Sequence, residues 1–83
     1  MIRVLFFGRL GEIAGMPETI FEHCAALATV NDLHDAITRE NPELGRALVE
    51  PQVTIAVNRE IAEWNAALEA GDEVAFLPPV TGG

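Results

Sequence analysis

The chain has 83 residues, of which 49% are hydrophobic, so it makes one small domain with enough apolar side chains for a core. Its formal net charge is −8, with 13 acidic residues against five basic ones, all of them arginine. This balance argues against nucleic-acid binding, which needs a basic surface for phosphates, and it suits partners with basic docking faces.

The cysteine content and the N-terminal segment indicate where the protein works. Cys24 is the only cysteine, which excludes an intrachain disulfide and favours a reducing cytoplasm. The apolar run over residues 1–7 is too short to cross a membrane, and no cleavage site of small residues follows it. We therefore expect a cytoplasmic protein without a signal peptide or a membrane span.

The first part of the chain predicts two strands joined by a loop. Residues 2–7 alternate, so that two sets of side chains face opposite sides of a strand. A glycine-rich loop over residues 8–17, with room for one helical turn, leads to a second strand over residues 18–23. Cys24, directly after this strand, is expected to be at least partly buried. The two sets in the first strand are Ile2, Val4 and Phe6 against Arg3, Leu5 and Phe7.

The main helix is predicted to begin after Thr29 and to end at Asn41. The Thr29 side chain can cap the first turn, and Pro42 disfavours a helical conformation at the residue before it. Apolar residues recur at helical spacing between these two points, so one face of the helix should be buried. These residues are Val30, Leu33, Ala36 and Ile37. A short helix over residues 43–49 is predicted to follow.

Two further strands complete the predicted fold, over residues 52–57 and 73–77. Residues 61–68 are ambiguous and fit a short strand followed by a turn, and Trp64 within them is expected to serve packing. This order of elements predicts an α+β roll of the β-grasp (ubiquitin-like) type. Its mixed sheet would have four or five strands, crossed by one main helix and accompanied by one or two short helices. Right-handed crossover places the first and last strands side by side and parallel.

The last six residues are predicted to leave the domain, residues 1–77, as an extended tail. Pro78 and Pro79 remove two backbone donors and stop the last strand. At 3.3–3.6 Å per residue the tail can reach about 20 Å. Gly82 and Gly83 have no Cβ, so they suit a narrow channel in which the Gly83 carboxylate is the reacting group. The competing interpretation is a frayed or engineered end. The tail consists of Pro78, Pro79, Val80, Thr81, Gly82 and Gly83.

The rest of the chain offers no recognisable active site. It has no glycine-rich phosphate loop ending in Lys and Ser or Thr, and no Cys or His pairs at metal-binding spacing. It also contains no serine, so the usual serine nucleophile is missing. We expect no metal and no bound cofactor.

Three segments resemble the small subunit of molybdopterin synthase. They are Val4–Glu12 (VLFFGRLGE), Ala56–Asn58 before a turn, and Gly71–Gly83 (GDEVAFLPPVTGG). The likeness extends over the whole chain in length and order of elements, and the closing Pro-Pro-Val-Thr-Gly-Gly is its most specific part. The family often has an arginine in place of Gly11 and an aromatic residue in place of Leu77.

The resemblance implies a sulfur carrier in molybdenum cofactor synthesis. A ubiquitin-activating-like adenylyltransferase would use ATP to adenylate the Gly83 carboxylate, and a sulfur donor protein would convert it to a thiocarboxylate. The ionised sulfur is a better nucleophile than a carboxylate oxygen. The tail would then deliver sulfur to cyclic pyranopterin monophosphate in the large subunit, which would supply the acid–base and substrate-binding residues. Two small and two large subunits would form the heterotetramer.

The sheet face opposite the main helix is predicted to dock the large subunit. Phe7 and Leu77 should lie near its centre, because a small monomer gains nothing from exposing apolar side chains there. Arg9 and Arg59 are expected at the rim, opposite carboxylates of the partner. Glu12 either closes a loop or contacts the partner.

Three other functions fit parts of the same pattern. The first is a sulfur carrier of another pathway, of the thiamine-thiazole type. The second is a ubiquitin-like modifier that joins Gly83 to a lysine of a target protein, and the third is an interaction module whose tail is a docking peptide. A thiocarboxylate would separate the carriers from the module, and covalent adducts would identify the modifier.

Overall fold

The structure is a computed structural model that describes residues 1–79. Within that range it contains five strands and three helices. In chain order these are β1 (Ile2–Phe6), α1 (Arg9–Ala14), β2 (Glu18–Phe21), α2 (Val30–Glu40), α3 (Pro42–Leu48), β3 (Thr54–Val57), β4 (Glu60–Ile61) and β5 (Glu73–Leu77).

The strands form one mixed sheet in the order β2-β1-β5-β3-β4. β1 pairs in parallel with β5, and the other three pairs of neighbours are antiparallel. α2 is the main helix, with 11 residues, and α1 and α3 are short, with six and seven. The predicted β-grasp roll is confirmed, including the parallel pair of first and last strands.

Two predicted strands end earlier than expected. β1 ends at Phe6 because Gly8, with φ 56° and ψ −135°, turns the chain into α1. β2 ends at Phe21, which pairs with the first residue of β1 and so has no further partner along that strand. Cys24 consequently lies in a loop and is exposed, so the expectation that it is partly buried is wrong.

The core lies between the sheet and the three helices. α2 begins with a reciprocal cap, in which Thr29 Oγ1 accepts from the Asp32 N–H and Asp32 Oδ2 accepts from the Thr29 N–H. Its apolar face packs on the inner face of the sheet. Trp64, whose ring centroid lies 6.2 Å from that of Phe76, packs against this core as expected. The fully buried large side chains are Ile2, Val4, Leu10, Val30, Leu33, Leu48, Val74 and Phe76.

Close contact between α2 and α3 depends on a glycine. A Cβ added to Gly45 would lie 2.8 Å from both Cβ and Cγ2 of Thr38. The Thr38 hydroxyl donates to the carbonyl of His34 (2.8 Å), and His34 Nε2 lies 2.7 Å from the carbonyl oxygen of Gly45. The two helices therefore meet backbone to side chain at this point.

A two-residue turn joins β3 to β4. Val57 pairs with Glu60, so Asn58 and Arg59 form the turn, with positive φ angles of 51° and 69°. This is the type I′ geometry that matches the twist of a hairpin, and it favours Asn first and Gly second. Arg59 therefore holds a left-handed conformation that side chains disfavour.

Asn58 ties this turn to the start of β5. Its backbone N–H donates to the carbonyl of Glu73 (2.7 Å), and its Oδ1 accepts from the Glu73 N–H (3.0 Å). Its Nδ2 donates to Oδ1 of Asp72 (3.0 Å), while Oδ2 of Asp72 accepts from the Glu69 N–H (2.8 Å). The hydrogen bonds from Asn58 and Glu69 hold the pKa of Asp72 below its ordinary value.

Replacing Gly45 with alanine should destabilise the domain by about 1–3 kcal/mol, because the added methyl group overpacks the contact with Thr38. Thr38→Ala in the Gly45→Ala background should recover part of this loss, since it removes the Thr38 hydroxyl and methyl groups. Urea unfolding of the two single variants and the double variant gives the coupling energy, which we expect to be at least about 0.5 kcal/mol. Strict additivity would show that the two residues do not limit the approach of the helices.

Asp72→Ala should lower the free energy of unfolding at pH 7 by about 1–2 kcal/mol, because two hydrogen bonds to the carboxylate are lost. The folded-state pKa is depressed, so this stabilisation is present above the unfolded pKa, about 3.9, and is lost as pH falls through the folded value. Unfolding measured at pH 7 and below pH about 3 should show the difference shrinking. Asp35→Ala, at an exposed position of α2, is the matched control and should change stability by less than about 0.5 kcal/mol. An equal effect of Asp72→Ala at both pH values would contradict this assignment.

Candidate docking face and carrier tail

The sheet face turned away from α2 has an apolar centre, and we call it the outer face. Strand register builds it, because Leu5 pairs with Ala75, Ala75 with Ala56, and Ala56 with Ile61. Side chains of residues paired in this way point to the same side of a sheet. The outer face consists of Arg3, Leu5, Phe7, Glu18, Ile20, Thr54, Ala56, Ile61, Glu73, Ala75 and Leu77.

Several large apolar side chains on the outer face are open to solvent. The exposed fractions are 47% for Phe7, 55% for Ile20 and 83% for Ile61. The described helices pack with the core on the other side of the sheet, and none of the buried core residues on them faces this side. Large exposed apolar side chains on one face of a sheet are typical of protein–protein contacts, so the outer face is the candidate docking face.

Charged residues border the apolar centre on β2, at the starts of β1 and β5, and in the β3–β4 turn. Arg3 lies between two carboxylates, with Nε 3.0 Å from Glu18 and Nη1 3.3 Å from Glu73. Arg59 Nε lies 3.9 Å from the other oxygen of Glu73, and its side chain is 89% exposed. The charges of these four residues sum to zero, so the outer face is close to neutral on a strongly acidic protein.

Two shallow concavities run across the outer face. The first encloses about 430 Å³ between the central strands and the β3–β4 turn. The second encloses about 740 Å³ beside the start of the tail. Arg59, Ala56 and Leu77 line both, so the concavities are continuous. The first is also lined by Arg3, Leu5, Phe7, Glu73 and Ala75, and the second by Gln52, Thr54, Ile61, Pro78 and Pro79.

The tail leaves the sheet next to the end of β1. The last residue of β5, Leu77, pairs with Thr54, and Pro78 then offers no N–H to continue the ladder. Pro78 lies against Gly8, where an added Cβ would be 2.9 Å from the proline Cγ. Gly8 thus suits this place both through its positive φ of 56° and through the space that it leaves. The predicted tail residues Val80, Thr81, Gly82 and Gly83 lie outside the described residues.

The structure brings together only part of the predicted docking set. Phe7, Leu77 and Arg59 share the outer face. Arg9 and Glu12 lie instead on α1, beyond the end of β1. The Nη2 of Arg9 lies 3.2 Å and 3.3 Å from the two carboxylate oxygens of Glu50, an exposed pair of small energetic weight. Glu12 lines a separate groove along the glycines at 8, 11 and 15.

Sequence reasoning missed Ala56 and Ile61 on this face and Gly8 below the tail. Alternation with Leu77 predicts the place of Ala75, whereas only strand register shows that Ala56 lies beside it at the flat centre of the face. Ile61 begins the segment that fits a short strand and then a turn. Only the pairing of β4 with β3 shows that its side chain shares a face with that of Ala56. Gly8 was assigned only to a loop, and its contact with Pro78 depends on parallel pairing of the first and last strands.

Residues 1–79 contain neither a metal site nor a helix that could span a membrane. No group of three or more His, Cys, Asp or Glu side chains there is placed to hold a metal ion. None of the described helices is long and apolar enough to cross a membrane.

Comparison with known proteins gives concordant results from sequence and structure. The chain is 39% identical to the molybdopterin synthase sulfur carrier subunit of Escherichia coli (strain K12), over all 83 residues and the full length of that protein. The crystal structure of SAMP1 from Haloferax volcanii superposes with a TM-score of 0.85 at 31% identity, covering 99% of this chain and 98% of that chain.

A third similar structure is a complex. It is the protein-protein complex of subunits 1 and 2 of molybdopterin-converting factor from Helicobacter pylori 26695, with a TM-score of 0.66 and 26% identity. The match covers 99% of this chain and 97% of that chain. The ThiS family matches residues 4–83, which include the three helices, the tail and all of the sheet except the first two residues of β1. This chain is therefore a member of the ThiS family, with the β-grasp fold of the ubiquitin-like sulfur carriers.

Proposed function

We propose that this protein is the sulfur carrier subunit of a molybdopterin synthase. The observation that carries the proposal is the 39% identity, over the whole of both chains, to a protein named for that role. Three further relatives with the same name match at 31%, 36% and 32% identity. The outer face and the two prolines at the base of the tail, Pro78 and Pro79, also support the proposal. A sulfur carrier must dock on a partner protein and must extend its C-terminus away from its own domain.

The chemistry that we propose takes place at Gly83. The carboxylate attacks the α-phosphorus of ATP in an activating adenylyltransferase, which releases pyrophosphate and leaves an acyl adenylate. Sulfide-level sulfur (HS⁻) delivered by a donor protein then attacks the carbonyl carbon and displaces AMP, giving a thiocarboxylate whose sulfur is a stronger nucleophile than the original carboxylate oxygen. ATP belongs to the activating enzyme, and the carrier itself needs no bound cofactor.

The partner that we propose for the outer face is the large subunit of the synthase. Its support is the exposed apolar surface centred on Leu5, Phe7 and Leu77, together with a similar structure solved as a complex of both subunits. Pro78, Pro79, Val80, Thr81 and Gly82 would span the distance from this face to the active site. The large subunit would hold the pterin substrate and the acid–base residues, in a heterotetramer of two small and two large subunits. A reducing cytoplasm suits the exposed thiol of Cys24.

Protein modification is a second candidate function. It is favoured by the likeness to SAMP1, a small archaeal modifier protein, at a TM-score of 0.85. The same Gly83 terminus would then form an isopeptide bond with a lysine of a target protein. Purification from cells under denaturing conditions distinguishes the two functions, because a modifier leaves covalent adducts of increased mass and a sulfur carrier does not.

Deletion of Gly83 should abolish sulfur transfer and leave folding almost unchanged, because the last residue adds little to the core. Intact-mass analysis after incubation with the cognate activating enzyme, ATP and a sulfide source should show, for the full chain only, replacement of one oxygen by sulfur. The melting temperatures of both chains should agree within about 2 °C. Pterin conversion by the shortened chain would refute the role of Gly83.

Phe7→Ala should weaken binding to the large subunit by about 1–3 kcal/mol, the range for an interface anchor. Phe7 is 47% exposed, so its loss from the free domain should cost much less than the roughly 3–5 kcal/mol of a buried Phe→Ala change. Calorimetric titration and urea unfolding of the same variant measure both quantities. Phe76→Ala, which empties a fully buried position, is the control expected to show mainly a loss of stability. Normal affinity of Phe7→Ala, or a stability loss equal to that of Phe76→Ala, would remove Phe7 from the docking site.

A further inference from the structure

Arg59 occupies a backbone position that favours glycine. It is the second residue of the type I′ turn, with φ 69°, and residues other than glycine are disfavoured in the left-handed region. Backbone strain held by surrounding hydrogen bonds is a feature of functional sites. Here Asn58 supplies those bonds, because it joins the turn to Glu73 and Asp72 through three hydrogen bonds. The Cα of Arg59 is thus fixed at the border of the outer face.

The guanidinium of Arg59 is little used within residues 1–79. It makes one ion pair, from Nε to Glu73 at 3.9 Å, and the side chain is 89% exposed. Arg3, the other arginine of the outer face, is paired twice, with Glu18 and Glu73 at 3.0 Å and 3.3 Å. The planar outer edge of Arg59, with its two terminal nitrogens, therefore remains available for bidentate binding.

The position of Arg59 places its guanidinium beside both concavities of the outer face. Arg59 lines both concavities of the outer face, together with Ala56 and Leu77. A side chain of a protein lying in either concavity would pass within reach of the guanidinium. The net charge of the chain is −8, so electrostatics favour a partner with a basic surface. An acidic side chain of that partner would be attracted to few places on this protein. A carboxylate opposite Arg59 would thus fix one orientation among several.

We propose that Arg59 is a specificity-determining residue that binds an aspartate or glutamate side chain of the large subunit and sets its register on the outer face. This inference rests on the proposed function, since it names the chemistry of the group that faces Arg59 in that complex. On this proposal, the left-handed conformation of Arg59 lowers the stability of the free domain and strengthens its association with the large subunit.

The test compares three substitutions of Arg59 in binding to the large subunit from the same organism. Arg59→Glu places like charges together and should raise Kd about tenfold or more, whereas Arg59→Gln should raise it about threefold. Raising the NaCl concentration should narrow the gap between Arg59→Glu and the unchanged chain. Arg59→Gly should also weaken binding, yet leave the melting temperature unchanged or raised, because glycine suits the turn.

One control variant and two possible results determine whether Arg59 sets the register of the large subunit. Arg46→Glu makes the same charge change at an exposed position of α3, on the other side of the sheet, and should alter Kd by less than about twofold. Equal Kd values for Arg59→Glu and Arg46→Glu would overturn the proposal. A melting temperature lowered by several degrees in Arg59→Gly would also overturn it, since the residue would then serve the fold. If the unchanged chain does not bind the large subunit, the proposed function itself fails.

Discussion

Parallel pairing of β1 with β5 is the interaction on which the functional arrangement depends. It joins the first and last strands at the middle of the sheet, so Phe7 lies beside the end of β5 and Gly8 lies under Pro78. The N–H of Phe7 extends the ladder by donating to the carbonyl of Phe76 (3.1 Å). The outer face and the base of the tail are thereby held next to each other. In the proposed function this arrangement would let the tail enter the large subunit at a fixed place relative to the outer face.

The two faces of the sheet differ in burial because the chain is small and its helices cover only the inner face. One main helix and two short ones cover the inner face, where Val4, Val74 and Phe76 are fully buried. The outer face keeps apolar residues that contribute little to the free domain, and a partner protein is the natural cover for them. The close contact at Gly45 and the strained turn at Arg59 have different effects. Gly45 permits tight helix packing, whereas the turn at Arg59 holds a charged side chain beside the outer face.

Much of the fold could be predicted from local patterns. Alternation in residues 2–7, the Thr29 cap and the apolar spacing of α2 are all strong short-range signals, and right-handed crossover gave the parallel pair. Strand ends were less accurate, because they depend on how many partners the neighbouring strand offers, as at Phe21. The apolar anchors Phe7 and Leu77 were predictable from alternation. The places of Ala56 and Ile61 were not, because register across β5, β3 and β4 determines them.

Chemical-shift mapping with the large subunit tests most directly whether the outer face is the docking surface. Methyl and amide signals of the carrier are followed as the large subunit is added. We expect the largest changes at Leu5, Ala75 and Leu77 on the outer face, with Asp35 and Arg39 on α2 almost unaffected. Changes confined to α2 and α3, with Leu5 and Ala75 unmoved, would contradict this assignment and place the partner on the opposite side of the molecule.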